Sequence, residues 1–362
     1  MPGFQRVANN KDLKEGTLLH VDVNGTPIVL AAVGGKVYAM DAVCSHEGGP
    51  LEEGTIEGYC LTCPWHQAIF DVRNARVSPD TGWATDLRSF AVNVDESTGD
   101  VSVNLESISG EEVEMKTAPG QQPAATLSLV KKEKLEGTDI MTFRFAKKEY
   151  PDYKPGQFAF FPLDNVKDVK GPVRHFSLAS SPTEDELIIS TRIRDTPYKQ
   201  ALSLLASGAQ VKVSKPQGNF TLGDDHKPAV LLSGGIGVTP FRSMIKYATD
   251  NRLLTRIAMF DSNRNAQNIL YKNEFDSWAL ENKNLKIIYT ITDEEGWKSD
   301  WAGERGRIDK NMLDKHLPVE DQQNATFYIC GPPGMLQGMR NLLRNELQIP
   351  DERIKIEEFT GY

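Results

Sequence analysis

Apolar and polar residues alternate over short runs in the first hundred positions. Leu18–Val23, Pro27–Val33 and Val37–Met40 are separated by Asn24-Gly25 and Gly34-Gly35, dipeptides that favour tight hairpin turns. Phe90–Val94 and Val101–Leu105 flank Thr98-Gly99-Asp100 and read as a closing hairpin. No helical period intervenes, so residues 1–106 are expected to form an all-β domain. The apolar period disappears over 107–124, where Pro, Gly and Gln accumulate, and this stretch reads as a linker. Strands resume at Leu127–Val130, Ile140–Phe145, Phe158–Phe161, Leu187–Thr191 and Val211–Ser214. Many short strands joined by Gly and Pro turns predict an antiparallel β-barrel over 125–226. From 227 to 362 strands alternate with helical patterns: Val230–Ser233, Ile257–Phe260, Leu285–Ile291, Thr326–Cys330 and Ile354–Phe359. Thr239-Pro240 reads as the N-cap and first residue of a helix whose apolar face is Phe241, Met244, Ile245 and Ala248. Alternation of this kind predicts a Rossmann-like α/β domain with a parallel sheet. The expected fold class is therefore multidomain.

Composition narrows the function more than the fold. Hydrophobic residues make up 39% and charged residues 25%, ordinary values for a folded protein, and a net charge of −9 argues against a nucleic-acid partner. No apolar run approaches the ~18 residues of a spanning helix, so no membrane insertion is expected. The first residues lack the apolar core of a secretory signal, and four cysteines in 362 residues are no disulfide framework. A cytoplasmic location is the expectation.

Chemistry enters with Cys44-Ser45-His46 and Cys63-Pro64-Trp65-His66. Two thiolates and two imidazoles suit a Rieske-type [2Fe–2S] cluster, with Cys44 and Cys63 on one iron and His46 and His66 on the other. Zinc is the competing metal, and Cys60-Leu-Thr-Cys63 has the C-x2-C spacing that zinc favours. The Cys-x-His and Cys-x2-His halves and the proline after Cys63 match the iron–sulfur pattern instead. The remaining histidines, His20, His175, His226 and His316, are isolated, so a mononuclear oxygenase iron with two His and a carboxylate has no candidate ligands. Over roughly residues 4–105, with Cys44-Ser-His-Glu-Gly-Gly-Pro-Leu51, Gly54 and Phe70-Asp71, the segment resembles the soluble Rieske ferredoxins that serve ring-hydroxylating oxygenases. Gln67 stands where those ferredoxins usually have Gly. Gly49 and Trp65 stand where membrane-complex relatives carry bridging cysteines, and Cys60 then reads as structural.

Arg174-His175-Phe176-Ser177 lies downstream of Pro155-Gly156-Gln157-Phe158. In this order the residues resemble the flavin motif of the ferredoxin–NADP reductase superfamily. Arg174 is suited to bind a phosphate bidentately, Phe176 to stack on a flavin and Ser177 to hydrogen-bond the ring near N5. Thr196-Pro-Tyr-Lys199 replaces the Gly-x-x-Ser turn common at the flavin pyrophosphate, with Lys199 as the phosphate contact; FAD is favoured over FMN. The loop Ser233-Gly234-Gly235-Ile-Gly237-Val-Thr239-Pro240 follows a strand and opens a helix, where glycines admit a pyrophosphate to the helix N-terminus. Cys330-Gly331-Pro332-Pro-Gly-Met335 resembles the superfamily's nicotinamide-side motif, with the thiol beside the hydride-transfer position. The same resemblance, covering roughly 125–362, places Glu358 and the terminal aromatic Tyr362 near the flavin. Asp261 suits ribose hydroxyls and favours NADH, while Ser262 and Arg264 suit the 2′-phosphate of NADPH.

The expected activity is electron transfer from NAD(P)H to FAD, to the Rieske cluster and on to an external acceptor, with a terminal oxygenase as the leading partner. Two alternatives remain open at this point. One is a flavin reductase acting directly on a small molecule or O2, with the cluster as sensor or store. The other is a non-enzymatic Rieske docking module.

Overall fold

The computed structural model describes residues 3–46, 48–64, 68–78, 81, 84–108, 123–168, 172–223, 227–294 and 301–358. The chain divides into two compact units, Met1–Gln122 with Asn165–Val173, and Pro123–Asp164 with Arg174–Tyr362. Most of the expected linker, residues 109–122, lies outside the described residues. Its edges belong to strands Asp100–Ile108 and Pro123–Lys134. No helix among the described residues is long and apolar enough to cross a membrane.

The first unit is all-β, as expected. An antiparallel six-stranded sheet runs in the order Gln5–Asn9, Asp100–Ile108, Ser89–Val94, Lys36–Asp41, Thr26–Val33, Leu18–Val23. Strand Thr26–Val33 explains its near-continuous apolar run. Ile28, Leu30 and Ala32 face one core with Phe90 and Val103, while Val29, Ala31 and Val33 face a second. That second core also takes Leu51, Leu61 and Phe70 from a small three-stranded sheet (Thr55–Glu57, Cys60–Thr62, Ile69–Asp71) and its flanks. Strands of three residues leave no periodic signal, so this sheet is not legible in the sequence pattern.

The second unit contains six strands in an antiparallel near-barrel and a parallel α/β sheet. The near-barrel has the strand order Glu186–Arg192, Ile140–Ala146, Pro123–Lys134, Gln210–Ser214, with Phe158–Pro162 and Val173–Ser177 as a second pair. The two groups meet where the Phe160 N–H donates to Ser214 Oγ at 2.9 Å. Helix Pro197–Leu204, which the apolar period does not announce, is capped by Thr196, whose hydroxyl accepts from the Lys199 N–H.

The parallel sheet has the order Glu304–Arg305, Leu285–Ile291, Ile257–Asn263, Ala229–Gly234, Thr326–Gly331, Ile354–Glu358. Helices Thr239–Asp250 and Lys272–Glu281 bury Phe241, Met244, Phe275 and Trp278 on one side. Helices Lys310–His316 and Pro333–Asn341 bury Leu313 and Leu336 on the other. The start of Thr239–Asp250 differs from expectation. A 3-10 turn over Gly235–Val238 leads directly into the helix, so Val238 holds the cap position, and Thr239 Oγ1 donates back to the Ile236 carbonyl.

One side chain ties the barrel to the parallel sheet. Arg242, in the first turn of Thr239–Asp250, is 1% exposed. It bonds Glu184 at 2.9 and 3.0 Å, Glu274 at 2.7 and 2.8 Å and the Ala179 carbonyl at 2.8 Å, and lies over the rings of Tyr271 and Trp278. Removing one partner of a buried ion pair costs about 3–5 kcal/mol because the other charge is left uncompensated. Arg242→Met should lower unfolding free energy on that scale in urea titrations; an unchanged midpoint would contradict the clamp.

Candidate functional site

The two cluster loops are built on the first unit's second core. Cys44 ends the stretch after strand Lys36–Asp41, and its N–H donates to the Gly49 carbonyl while the Gly48 N–H returns to the Cys44 carbonyl. Cys63 ends strand Cys60–Thr62, and its N–H donates to the Ala68 carbonyl, closing the second loop. Both thiols are buried in the same core, and His46 is half-buried. Ser45 fixes its loop from outside: its hydroxyl donates to the Thr85 carbonyl at 2.6 Å and accepts from the Thr85 N–H. His66 lies outside the described residues. Two buried thiols from two closed loops fit the thiolate half of a [2Fe–2S] cluster, and His46 fits the imidazole half. None of the four cysteines is in a disulfide. Cys60, buried and pushed up to about 12 by desolvation, is an inert thiol, in keeping with a structural role.

In the parallel sheet, strand order reverses at Ala229–Gly234. Its neighbours are Ile257–Asn263 on one side and Thr326–Gly331 on the other. Ligands of such sheets bind at the carboxyl ends of the strands where the order reverses. Both glycine-rich loops emerge there and interlock. A Cβ on Gly237 would collide with the Cys330 carbonyl, and one on Gly234 with the Met335 sulfur. A cleft of about 920 Å³ opens beside them, lined by Gly234, Gly235 and Pro332 and by the cations Arg192, Arg194, Arg264 and Arg307. Size, glycine backbone and positive charge suit a dinucleotide pyrophosphate.

Asp261 departs from its expected role. It is 0% exposed and does not line the cleft; its carboxylate accepts from the Ser233 hydroxyl and from Asn263 Nδ2 at 2.8 Å. Burial pushes it up to about 7, against the lowering effect of those two donors. Asp261 is interior, while Ser262 and Asn263 at the end of the same strand, and Arg264 just after it, reach the cleft.

The reacting corner is assembled from barrel and sheet together. Ser177 ends strand Val173–Ser177, and its hydroxyl donates to Glu357 Oε2 at 3.4 Å. Glu357 pairs in register with Cys330 on the neighbouring strand. Cys330 is 0% exposed, and its thiol is held far above its usual value by burial and then by the Glu357 carboxyl. Glu357, also buried, is pushed up to about 8 by desolvation. Glu357 is thus the described carboxyl that meets Ser177 and sits in register beside Cys330. The side chain of Glu358, and Tyr362, lie outside the described residues.

The Arg174–Ser177 motif lies on strand Val173–Ser177. Arg174 is half-buried and stacks over Tyr198 at 4.9 Å. His175 packs between Phe158 and Phe160. Phe176 is 3% exposed, enclosed by Phe161 and Tyr198, and the Lys199 ammonium lies 4.7 Å over its ring. The face expected to stack on a flavin is therefore covered by Lys199. Lys199 is itself buried, donates to Thr191 Oγ1 and is lowered to about 7 by desolvation and by Arg174 and Arg194. A phosphate diester fits this cationic corner on charge grounds.

Comparison with known proteins agrees with this geometry. Residues 3–90 match the Rieske [2Fe-2S] domain and residues 231–341 the oxidoreductase NAD-binding domain. A component of the Na(+)-translocating NADH-quinone reductase of Idiomarina loihiensis is 29% identical over 222 residues, 57% of this chain and 53% of that relative. The chain thus spans about half the length of such curated relatives. A ferredoxin NADP+ reductase from Neisseria gonorrhoeae, solved with bound FAD and NADP, superposes with a TM-score of 0.54 at 17% identity, covering 65% of this chain and 98% of that one. The ferredoxin reductase in carbazole 1,9a-dioxygenase gives 0.53 at 18% identity, covering 65% and 68%. These two likenesses show the fold. The chain thus carries a segment matching a Rieske [2Fe-2S] domain and, further on, one matching an oxidoreductase NAD-binding domain, and part of it shares the fold of these reductases.

Glu357 supplies a test with a defined sign. Between its ordinary value near 4.5 and its folded value of about 8, the folded state holds a proton that the unfolded chain has lost. Stability therefore falls as pH rises through that interval, by up to about 1.4 kcal/mol per pH unit. In flavin-free protein, Glu357→Gln should gain stability relative to wild type as pH rises across the interval, measured by urea unfolding. Parallel pH dependences in both proteins would contradict a protonated, buried Glu357.

Proposed function

We propose that this chain draws electrons from NAD(P)H through FAD onto its own Rieske cluster and delivers them to an external protein, a terminal oxygenase. The observation that carries this reading is the coexistence, in one chain, of two closed cysteine loops suited to a one-electron cluster and a nucleotide cleft beside a Ser177–Glu357–Cys330 corner. A bound flavin supplies the exchange between two-electron and one-electron chemistry. The chain's residues bind and orient: the glycine loops and arginines take the dinucleotide, Arg174 and Lys199 take phosphate, and Ser177 offers its hydroxyl at the reacting edge. The ferredoxin reductase of the carbazole dioxygenase system, which shares the reductase fold, supports an oxygenase as acceptor.

The route through the cluster is tested with two acceptors. His46→Ala should retain NAD(P)H-driven reduction of ferricyanide, which takes electrons from flavin, and lose reduction of cytochrome c. Equal retention of both activities would favour the flavin as the exit point and sink the proposed route.

A further inference from the structure

The reacting corner draws on two layers. Ser177 belongs to the barrel, and Cys330 and Glu357 to the parallel sheet. The Ser177–Glu357 hydrogen bond, at 3.4 Å, is too long to hold the layers in register alone. Stronger ties lie just beyond it. The chain leaving Ser177 runs through Leu178, Ala179 and Ser180, all buried. Arg242 Nη1 donates to the Ala179 carbonyl at 2.8 Å, and Ser243 Oγ to the Ser180 carbonyl at 2.6 Å. Both donors sit in the first turn of Thr239–Asp250, the helix that follows the Gly234–Gly237 loop. Arg242 adds the bidentate bond to Glu184, which itself accepts from the Ser181 N–H at 2.6 Å. The segment after Ser177 is therefore bolted to the helix that carries the nucleotide loop.

We propose that Arg242 and Ser243 are positioning residues for hydride transfer. By gripping the carbonyls two and three residues past Ser177, they fix the barrel's reacting edge against the nucleotide loop and the Cys330–Glu357 pair. Neither touches the nucleotide cleft, so their effect falls on alignment and leaves dinucleotide affinity alone. The inference rests on the reductase reading above. Misplacement of reacting groups by about 1 Å is sufficient to cost about 100-fold in rate.

Ser243→Ala is the mild test, since it removes one hydroxyl from a buried site without changing charge; Arg242→Lys is the graded one. Two readouts are followed in the holoenzyme. The first is the rate of flavin reduction at saturating NAD(P)H, with the dinucleotide Kd measured separately. The second is amide exchange at Leu178 and Ala179, whose N–H groups donate to the Gln157 and Ile188 carbonyls. The proposal expects slower flavin reduction by about 10- to 100-fold, an unchanged Kd and faster exchange at these two amides. A lower melting temperature with an unchanged reduction rate would show a merely structural tie and overturn it. A raised Kd with an unchanged limiting rate would overturn it as well. Failure of NAD(P)H to reduce the wild-type flavin would instead remove the reductase reading on which the inference stands.

Discussion

The buried guanidinium of Arg242 is the constraint on which the reductase half depends. A charge that is 1% exposed is tolerable only with full compensation, and two carboxylates, a carbonyl and two aromatic faces provide it. Glu184 comes from the barrel and Glu274 from helix Lys272–Glu281, so the compensation is also a cross-link. The cleft, the glycine loops and the Ser177–Glu357–Cys330 corner all lie within reach of the geometry this fixes.

A second constraint governs the corner itself. Cys330 and Glu357 are both buried, and desolvation raises the acid group of each above its ordinary value. This corner thus disfavours negative charge, while positive charge is carried by the cleft arginines and Arg174. This separation suits a ligand whose phosphates are anionic and whose reacting ring is not. In the first unit the burial of Cys44 and Cys63 in one core plays a comparable part, presenting two thiols from two short loops.

Much of this was legible in the sequence. Alternation marked the hairpins of the first unit, and the change from period two to mixed strand and helix marked the parallel sheet. The Cys44/His46 and Cys63/His66 spacing, the Gly234–Pro240 loop and the Cys330 motif identified the chemistry. Legibility ended where local pattern stops carrying information. Strands as short as Cys60–Thr62 have no measurable period. Asp261 reads as a ligand by its position after a strand, and only the fold shows that its side chain turns inward to Ser233 and Asn263. Glu357 carries no local signal of its own in the sequence; its place beside Cys330 comes from the pairing of two strands far apart in the chain. Arg242, the residue that orders the module, looks in sequence like an ordinary cation in an amphipathic helix, because its partners are brought from 58 and 32 positions away.

The central claim is that electrons entering from NAD(P)H reach the Rieske cluster of the same chain. Anaerobic addition of NAD(P)H to the flavin-loaded holoprotein, followed by low-temperature EPR, tests it most directly. The account predicts the signal of a reduced Rieske cluster in the wild type and its absence in His46→Ala. A flavin that bleaches while the wild-type cluster stays oxidised would contradict it.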